Sequence, residues 1–456
     1  MPKNYLYLIG LCFTLLAIGS CQSDDDYTSL LINTNPDTIQ VFQNATVQIN
    51  VLENDTNIPA EGFLQVTTPT NGTVEVLDPN NTPNNPNDDL VSYIPNAVFY
   101  GEVTFQYTIC NLDTTNCATE TVTVAVLPIS PVTFNIENVP YENLSDYNFF
   151  EGSLSNLDPV YGVLPYRPIN KLFTDYAHKK RFIWMPSGVS ASYAGDYNVL
   201  DFPVGTVLIK HFYYENVQPA NNTQLIETRL LIKKADEWVF ANYIWNEDQT
   251  EASFDLVGGY VDVEWLLDGE TKNVNYRIPS ESECFTCHKN NAVHIPISPK
   301  PQNLDLDFSY EEGTKNQLQK WIEMGYLTNS LPNTIDTVVD WTDESQTLNS
   351  RMRAYVDINC AHCHVEEGHC NYRPVRFAYK ESGTDNNMGV CVDPETVIDP
   401  NTKIVEPLNI DTSVLYFRLN TTAEEYRMPL MGRTLIHQEA VELVEQWINS
   451  LTTSCD

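Results

Sequence analysis

Cys284, Cys287 and His288 stand in the order C-x-x-C-H within Cys284-Phe285-Thr286-Cys287-His288, and Cys360, Cys363 and His364 repeat that order in Cys360-Ala361-His362-Cys363-His364. Residues i, i+3 and i+4 share one face of a helical turn, so each stretch brings two thiols and an imidazole together. Two thiols so spaced reach the two vinyl groups of one porphyrin, and the next residue offers imidazole to its iron, which is the pattern of covalent haem c attachment. With 11 Cys and 8 His among 456 residues, two accidental matches are not expected. The expected cofactors are two haem c groups, held by Cys284, Cys287, Cys360 and Cys363, with His288 and His364 as iron ligands. Two C-x-x-C pairs also suit one tetrahedral zinc ion. The trailing histidines and the export signal described below favour haem.

Each iron has a sixth position, and its occupant separates electron transfer from catalysis. Methionine there raises the potential and closes the site, whereas an open position admits peroxide or oxygen chemistry. For the second motif the candidate is Met428 in Arg427-Met428-Pro429-Leu430-Met431-Gly432, with Met431 as runner-up. For the first, His294, Met324 and Met352 compete. Met324 leads, because a helix end followed by Gly325 could turn its sulfur toward the iron. His178, His211, His362, His369 and His437 are read as surface or core histidines. The basic run His178-Lys179-Lys180-Arg181 reads first as a solvated strand or turn. Arg181 and Arg229 are the candidates to pair with haem propionates, since a guanidinium fork fits a carboxylate bidentately.

The N-terminus carries Lys3, an apolar stretch from Leu6 to Ile18, and small residues before Cys21. This reads as a signal peptide over residues 1–20, too short to span a bilayer. Ile18-Gly19-Ser20-Cys21 resembles the lipobox of bacterial lipoproteins, which implies acylation of Cys21 and membrane attachment through a lipid anchor. Gln22-Ser23-Asp24-Asp25-Asp26 reads as part of an acidic tether over residues 21–32 and resembles the acidic signal that sends some bacterial lipoproteins to the outer face of the outer membrane. The expected location is an outer-membrane lipoprotein exposed at the cell surface. A net charge of −36 excludes a phosphate-backbone reader of nucleic acid. It serves solubility first, and it would also steer a basic redox protein partner. Oxidising conditions suit Cys110 with Cys117 across a hairpin and Cys370 with Cys391 around a loop, leaving Cys455 without a mate.

The elements that must position these groups change character along the chain. Residues 33–127 alternate in short runs such as Thr119-Glu120-Thr121-Val122-Thr123-Val124, punctuated by Pro, Gly and Asn, and predict an antiparallel sandwich. Residues 132–279 are aromatic and β-rich, with alternation in Thr206-Val207-Leu208-Ile209-Lys210-His211-Phe212. Helical spacing begins in the first haem segment, residues 280–340, where Gln317, Leu318, Trp321 and Ile322 predict a helix ending near Gly325. In the second, cytochrome c-like segment, residues 341–456, a helix over 343–358 leads into the second motif, and Val441, Val444, Ile448 and Leu451 stripe a last helix. The predicted fold class is thus multidomain: an all-β Ig-like sandwich, a β-rich middle, and an α-helical C-terminal region with two haem motifs.

Val51-Leu52-Glu53-Asn54-Asp55 and Tyr100-Gly101-Glu102-Val103-Thr104-Phe105-Gln106-Tyr107 resemble Ig-like or cadherin-like modules of bacterial surface proteins. The stretch Leu172-Phe173-Thr174-Asp175-Tyr176-Ala177-His178-Lys179-Lys180-Arg181, the run Ile226-Glu227-Thr228-Arg229-Leu230-Leu231, and Asn359 with the second motif are similar to a bacterial family of exported di-haem c-type cytochromes. That resemblance implies haem binding and redox activity. The leading expectation is a cell-envelope electron-transfer protein passing electrons between two haems and an external partner. A di-haem peroxidase-like oxidoreductase with an open first haem is the alternative, and a surface-binding lipoprotein with ancillary haems is the third.

Overall fold

The computed structural model describes residues 30–455 apart from Ala292 and Asp399. The signal segment, Cys21 and the tether through residue 29 lie outside the described residues. The chain divides into two compact units, one ending at Ile129 and the other beginning at Ser130.

The first unit is a sandwich of two sheets. Strands β1 (Asp37–Phe42), β7 (Cys117–Leu127), β6 (Gly101–Asn111) and β3 (Gly62–Val66) form one sheet in that order, and β2 (Val47–Ile49), β5 (Leu90–Ile94) and β4 (Thr73–Leu77) form the other. The two-residue period of β6 sends Val103, Phe105, Tyr107 and Ile109 inward, where they meet Val122, Val124 and Val126 of β7 and Val91 and Tyr93 of β5. The one departure from an antiparallel sandwich is β1, which pairs parallel to β7. Cys110 and Cys117 face each other in the β6–β7 register and are joined by a disulfide, as their spacing predicts.

The second unit is built on one large sheet, after a two-residue pair of β8 (Phe150–Glu151) with β9 (Asp158–Pro159). Its strands run in the order β10 (Leu164–Tyr166), β11 (His178–Trp184), β12 (Val207–Val217), β13 (Asn222–Lys233), β14 (Trp238–Trp245) and β15 (Ala252–Phe254). The hairpin β16 (Gly259–Leu267) and β17 (Glu270–Ile278) joins through β12. Both sheet faces are covered, so β12 and β13 read as nearly continuous apolar runs rather than clean alternation. One face packs Phe182, Val207, Ile209, Leu230 and Tyr243 against residues such as Leu144 and Phe149 that precede the sheet. On the opposite face Ile183 and Leu208 pack with Leu318 and Trp321 of a later helix, so residues 132–279 and 280–340 share a core.

Helices are few and short: α1 (Glu281–Cys287), α2 (Pro301–Leu304), α3 (Gln317–Glu323), α4 (Leu348–Asn359), α5 (Val414–Leu419) and α6 (Gln438–Ser450). The α3 and α6 stripes fall where the spacing predicts. By contrast, α4 starts at Leu348 because Thr347 accepts the Ser350 N–H at 3.1 Å and so caps it there. The expectation of an α-helical C-terminal region is corrected to a coarser one, a β-rich chain in which α4, α5 and α6 are separated by turns and isolated bridges. Runs such as Glu381-Ser382-Gly383-Thr384-Asp385-Asn386-Asn387 favour turns over helix. α4, α5 and α6 nonetheless share one core with Cys360 and Trp447.

Candidate functional site

Both C-x-x-C-H stretches sit at helix ends. Ser280 and Glu283 cap α1 reciprocally, with Ser280 N–H donating to Glu283 at 2.9 Å, and Arg277 pairs with the same carboxylate. α1 therefore carries Cys284 and Cys287 one turn apart, and the His288 N–H closes it on the Cys284 carbonyl at 3.0 Å. At the other motif α4 ends on Cys360, and one more turn follows. There the N–H groups of Cys363 and His364 donate to the Cys360 carbonyl at 3.1 and 3.0 Å. In each case two thiols and an imidazole face one cavity.

The cavity at the first motif encloses about 990 Å³ including its open mouth, and that at the second about 1030 Å³. Cys287, His362, Pro429 and Met431 line both. Where the cavities meet, ligand atoms of Cys287, His362 and Cys363 all lie within 4.8 Å of one another. The Cys363 thiol beside Cys287 holds Cys287 well below the usual thiol range, and the same contact pushes Cys363 up.

The imidazoles suit metal ligation. His288 Nδ1 donates to the Ile295 carbonyl at 2.9 Å, which leaves Nε2 as the free lone pair. Burial pushes His288 down to about 4, so the ring is neutral at pH 7. His364 is likewise held at about 4, first by burial and then by neighbouring cations. The Nδ1 atoms of His362 and His364 are buried without a hydrogen-bond partner. Thiols, neutral imidazoles and orphaned nitrogens around two adjoining cavities are the donor types that covalent haem attachment uses.

Met428 and Met431 both line the second cavity. Their loop is fixed on both sides: Met428 N–H donates to the Arg418 carbonyl at 3.0 Å, and Arg433 Nε donates to the Met428 carbonyl at 2.9 Å. The Met324 assignment is corrected. Met324 caps α3 in right-handed helical geometry and packs with the core that contains Leu318 and Trp321, and it lines neither cavity. Met352 is fully buried in the α4–α6 core, and the His294 ring stacks on Phe285 with centroids 4.1 Å apart. Met431 and His362 are the residues that reach the first cavity in Met324's place. His362 was read as a surface or core histidine. The missed signal was its position inside a motif whose turn presents Cys360, His362, Cys363 and His364 to the cavities and Ala361 to the core.

Of the two propionate candidates, Arg229 lines the first cavity, whereas Arg181 is buried in β11 and is not among its lining residues. Lys210 and Asn242, which spacing did not single out, line it as well. The disulfide expectation around the second motif is also corrected. Cys391 pairs with Cys455, and Cys370 is a buried free thiol at the second cavity. Cys370 N–H donates to the Cys363 carbonyl at 2.9 Å, which keeps Cys370 in the turn of the motif.

Residues 31–125 match the bacterial Ig domain family. The Ig domain is therefore the first unit, and the match ends before the cavities begin. No curated protein matches the chain. Among solved structures, an endo-fucoidan hydrolase variant of glycoside hydrolase family 107 is similar at 13% identity with a TM-score of 0.17. The match covers 46% of this chain and 27% of that enzyme. Among the described residues no helix is long and apolar enough to cross a membrane.

Proposed function

We propose that the second unit holds two haem c groups, bound through Cys284, Cys287, Cys360 and Cys363, and passes electrons between them and an external redox protein at the cell envelope. The observation that carries this reading is the approach of Cys287 to Cys363, whose sulfurs lie within 4.8 Å although each belongs to a different attachment motif. Groups tethered there would adjoin along one edge. The bound groups would supply one-electron redox chemistry. The chain's own part is to hold them by thioether bonds, to present neutral imidazole from His288 and His364, and to close the second iron with Met428. Val375, Phe377, Val414 and Leu415 give the second cavity apolar walls. Bacterial Ig domains suit an extracellular or surface protein, which agrees with a lipid anchor at Cys21 and a spacer role for the first unit.

The experiment is expression with a c-type haem maturation system, followed by haem and metal analysis and spectra in both redox states. Two haems per chain and two low-spin spectra are expected. Zinc without haem would overturn the reading. A five-coordinate first haem that turns over peroxide would move the protein to the peroxidase-like class. One observation favours a second reading: Cys287, His362 and Cys363 supply three ligand atoms to a single point, enough for one metal ion with an open fourth position. Metal bound at one equivalent, and lost in His362→Ala with Cys284 and Cys360 still free, would identify it.

A further inference from the structure

The sheet register places Arg181 opposite Lys210, Lys210 opposite Arg229, and Arg229 opposite Asn242, on four consecutive strands. Residues directly opposite share a sheet face, so three cations and one amide form a single row across β11 to β14. Like charges opposite each other are destabilising, and this row is buried or half-buried along its length. One carboxylate answers it. Glu227, fully buried, binds Arg229 Nε at 3.0 Å and accepts from the Tyr276 hydroxyl at 2.7 Å. Among the described residues no acidic side chain forms an ion pair with Arg181 or Lys210. The Lys210 ammonium and the Arg229 guanidinium instead crowd the face of Phe212, at 4.6 and 4.3 Å from its centroid. Burial, and then the neighbouring Arg181, Lys179 and Arg229, holds Lys210 well below the usual ammonium range, as expected of a cation that lacks its own counter-charge among the described residues.

Asn242 points to where the compensation comes from. Its side chain is only 5% exposed and lines the first cavity, yet neither Nδ2 nor Oδ1 has a hydrogen-bond partner. A buried primary amide with no partner is costly, so a satisfied ligand state is expected at that position. Lys210 and Arg229 line the same cavity as Cys284 and His288.

We propose that Lys210, Arg229 and Asn242 form a carboxylate-binding wall in the first cavity, with Arg181 behind it as a supporting charge. Arg229 and Lys210 supply charge-assisted donors, and Asn242 Nδ2 adds a neutral one. Under the proposed function, on which this inference rests for its occupant, the ligand is the pair of propionate carboxylates of the first haem. A free dicarboxylate is the other source of the same chemistry.

The test uses full-length protein, its Lys210→Gln and Asn242→Leu variants, and Lys180→Gln as an exposed control. The midpoint potential of each haem is measured with and without sodium succinate. If propionates occupy the wall, Lys210→Gln and Asn242→Leu shift the first haem to more negative potential, the second haem and the Lys180→Gln protein stay unchanged, and succinate does nothing. If a free anion occupies it, wild-type spectra or potentials titrate saturably with succinate, and Lys210→Gln weakens that response about tenfold or more. Absence of both effects overturns the wall. If the protein carries no haem, the functional reading fails by itself. Calorimetric titration of succinate into that protein then decides the wall: binding lost in Lys210→Gln upholds it, and no binding refutes it.

Discussion

The Asp175 carboxylate accepts the backbone N–H of Leu435 at 2.7 Å, and it takes the Thr434 N–H and hydroxyl at 2.7 and 3.0 Å. Asp175 is 2% exposed and precedes β11, while Leu435 follows the Met428 loop. The start of the large sheet thereby sets the position of a loop some distance along the chain, and with it the sulfur that faces the second cavity. Asp175→Ala strands three donors in a buried place and should cost about 2–4 kcal/mol in urea unfolding. Holo-protein carrying it should also show a weakened methionine-to-iron band.

Met428→Leu keeps the volume of the side chain and removes the thioether. It should abolish the methionine-to-iron charge-transfer band of one haem and lower that haem's potential, with the other unchanged. Met431→Leu should leave the band in place. A band that survives Met428→Leu would remove Met428 as the ligand.

His211 makes stability depend on pH. It is fully buried between Phe150 and Phe182, its Nδ1 bonds Thr228 Oγ1 at 2.6 Å, and burial pushes it down to about 3 from 6.5. The folded protein thus resists protonation that the unfolded chain accepts near 6.5. Stability from the neutral ring is complete above 6.5 and is lost as pH falls from there toward 3, by on the order of a few kcal/mol. Urea midpoints measured from pH 7 to pH 4 should fall more steeply for wild type than for His211→Gln. Equal slopes would show that His211 is not the group titrating.

The Cys391–Cys455 bridge spans a sequence separation of 64 residues and restricts the unfolded chain over that length. Cys455→Ser should cost about 2–4 kcal/mol against denaturant, while Cys370→Ser should leave the bridge intact by mass spectrometry. A Cys370–Cys391 link in wild type would reverse this assignment.

What the sequence disclosed follows from distance along the chain. Cys284, Cys287 and His288 are legible because their chemistry is local, fitting within a turn, and the α6 stripe of Val441, Val444 and Ile448 is legible for the same reason. Met428, which lines the second cavity, stands out because it sits in a short loop before that helix. Lys210 and Asn242 do not, since their shared cavity depends on the register of β12, β13 and β14, and no local period encodes which strands become neighbours. Met324 misled because a helix end near a glycine turn reads alike whether its side chain faces a cavity or a core. Cys370 misled by proximity: it stays within the turn of its motif, and Cys391 reaches a cysteine almost at the end of the chain.

The bridge between Cys391 and Cys455 turns everything between them, including Met428, α5 and α6, into a closed covalent ring. A protease that cuts once inside this ring releases no fragment. Both new ends stay attached, and the nicked chain keeps its full mass until a reductant opens the ring. For a protein working outside the cell, where proteases act and thiols are oxidised, a break in the loop that carries Met428 would therefore stay invisible on a non-reducing gel and show only after reduction.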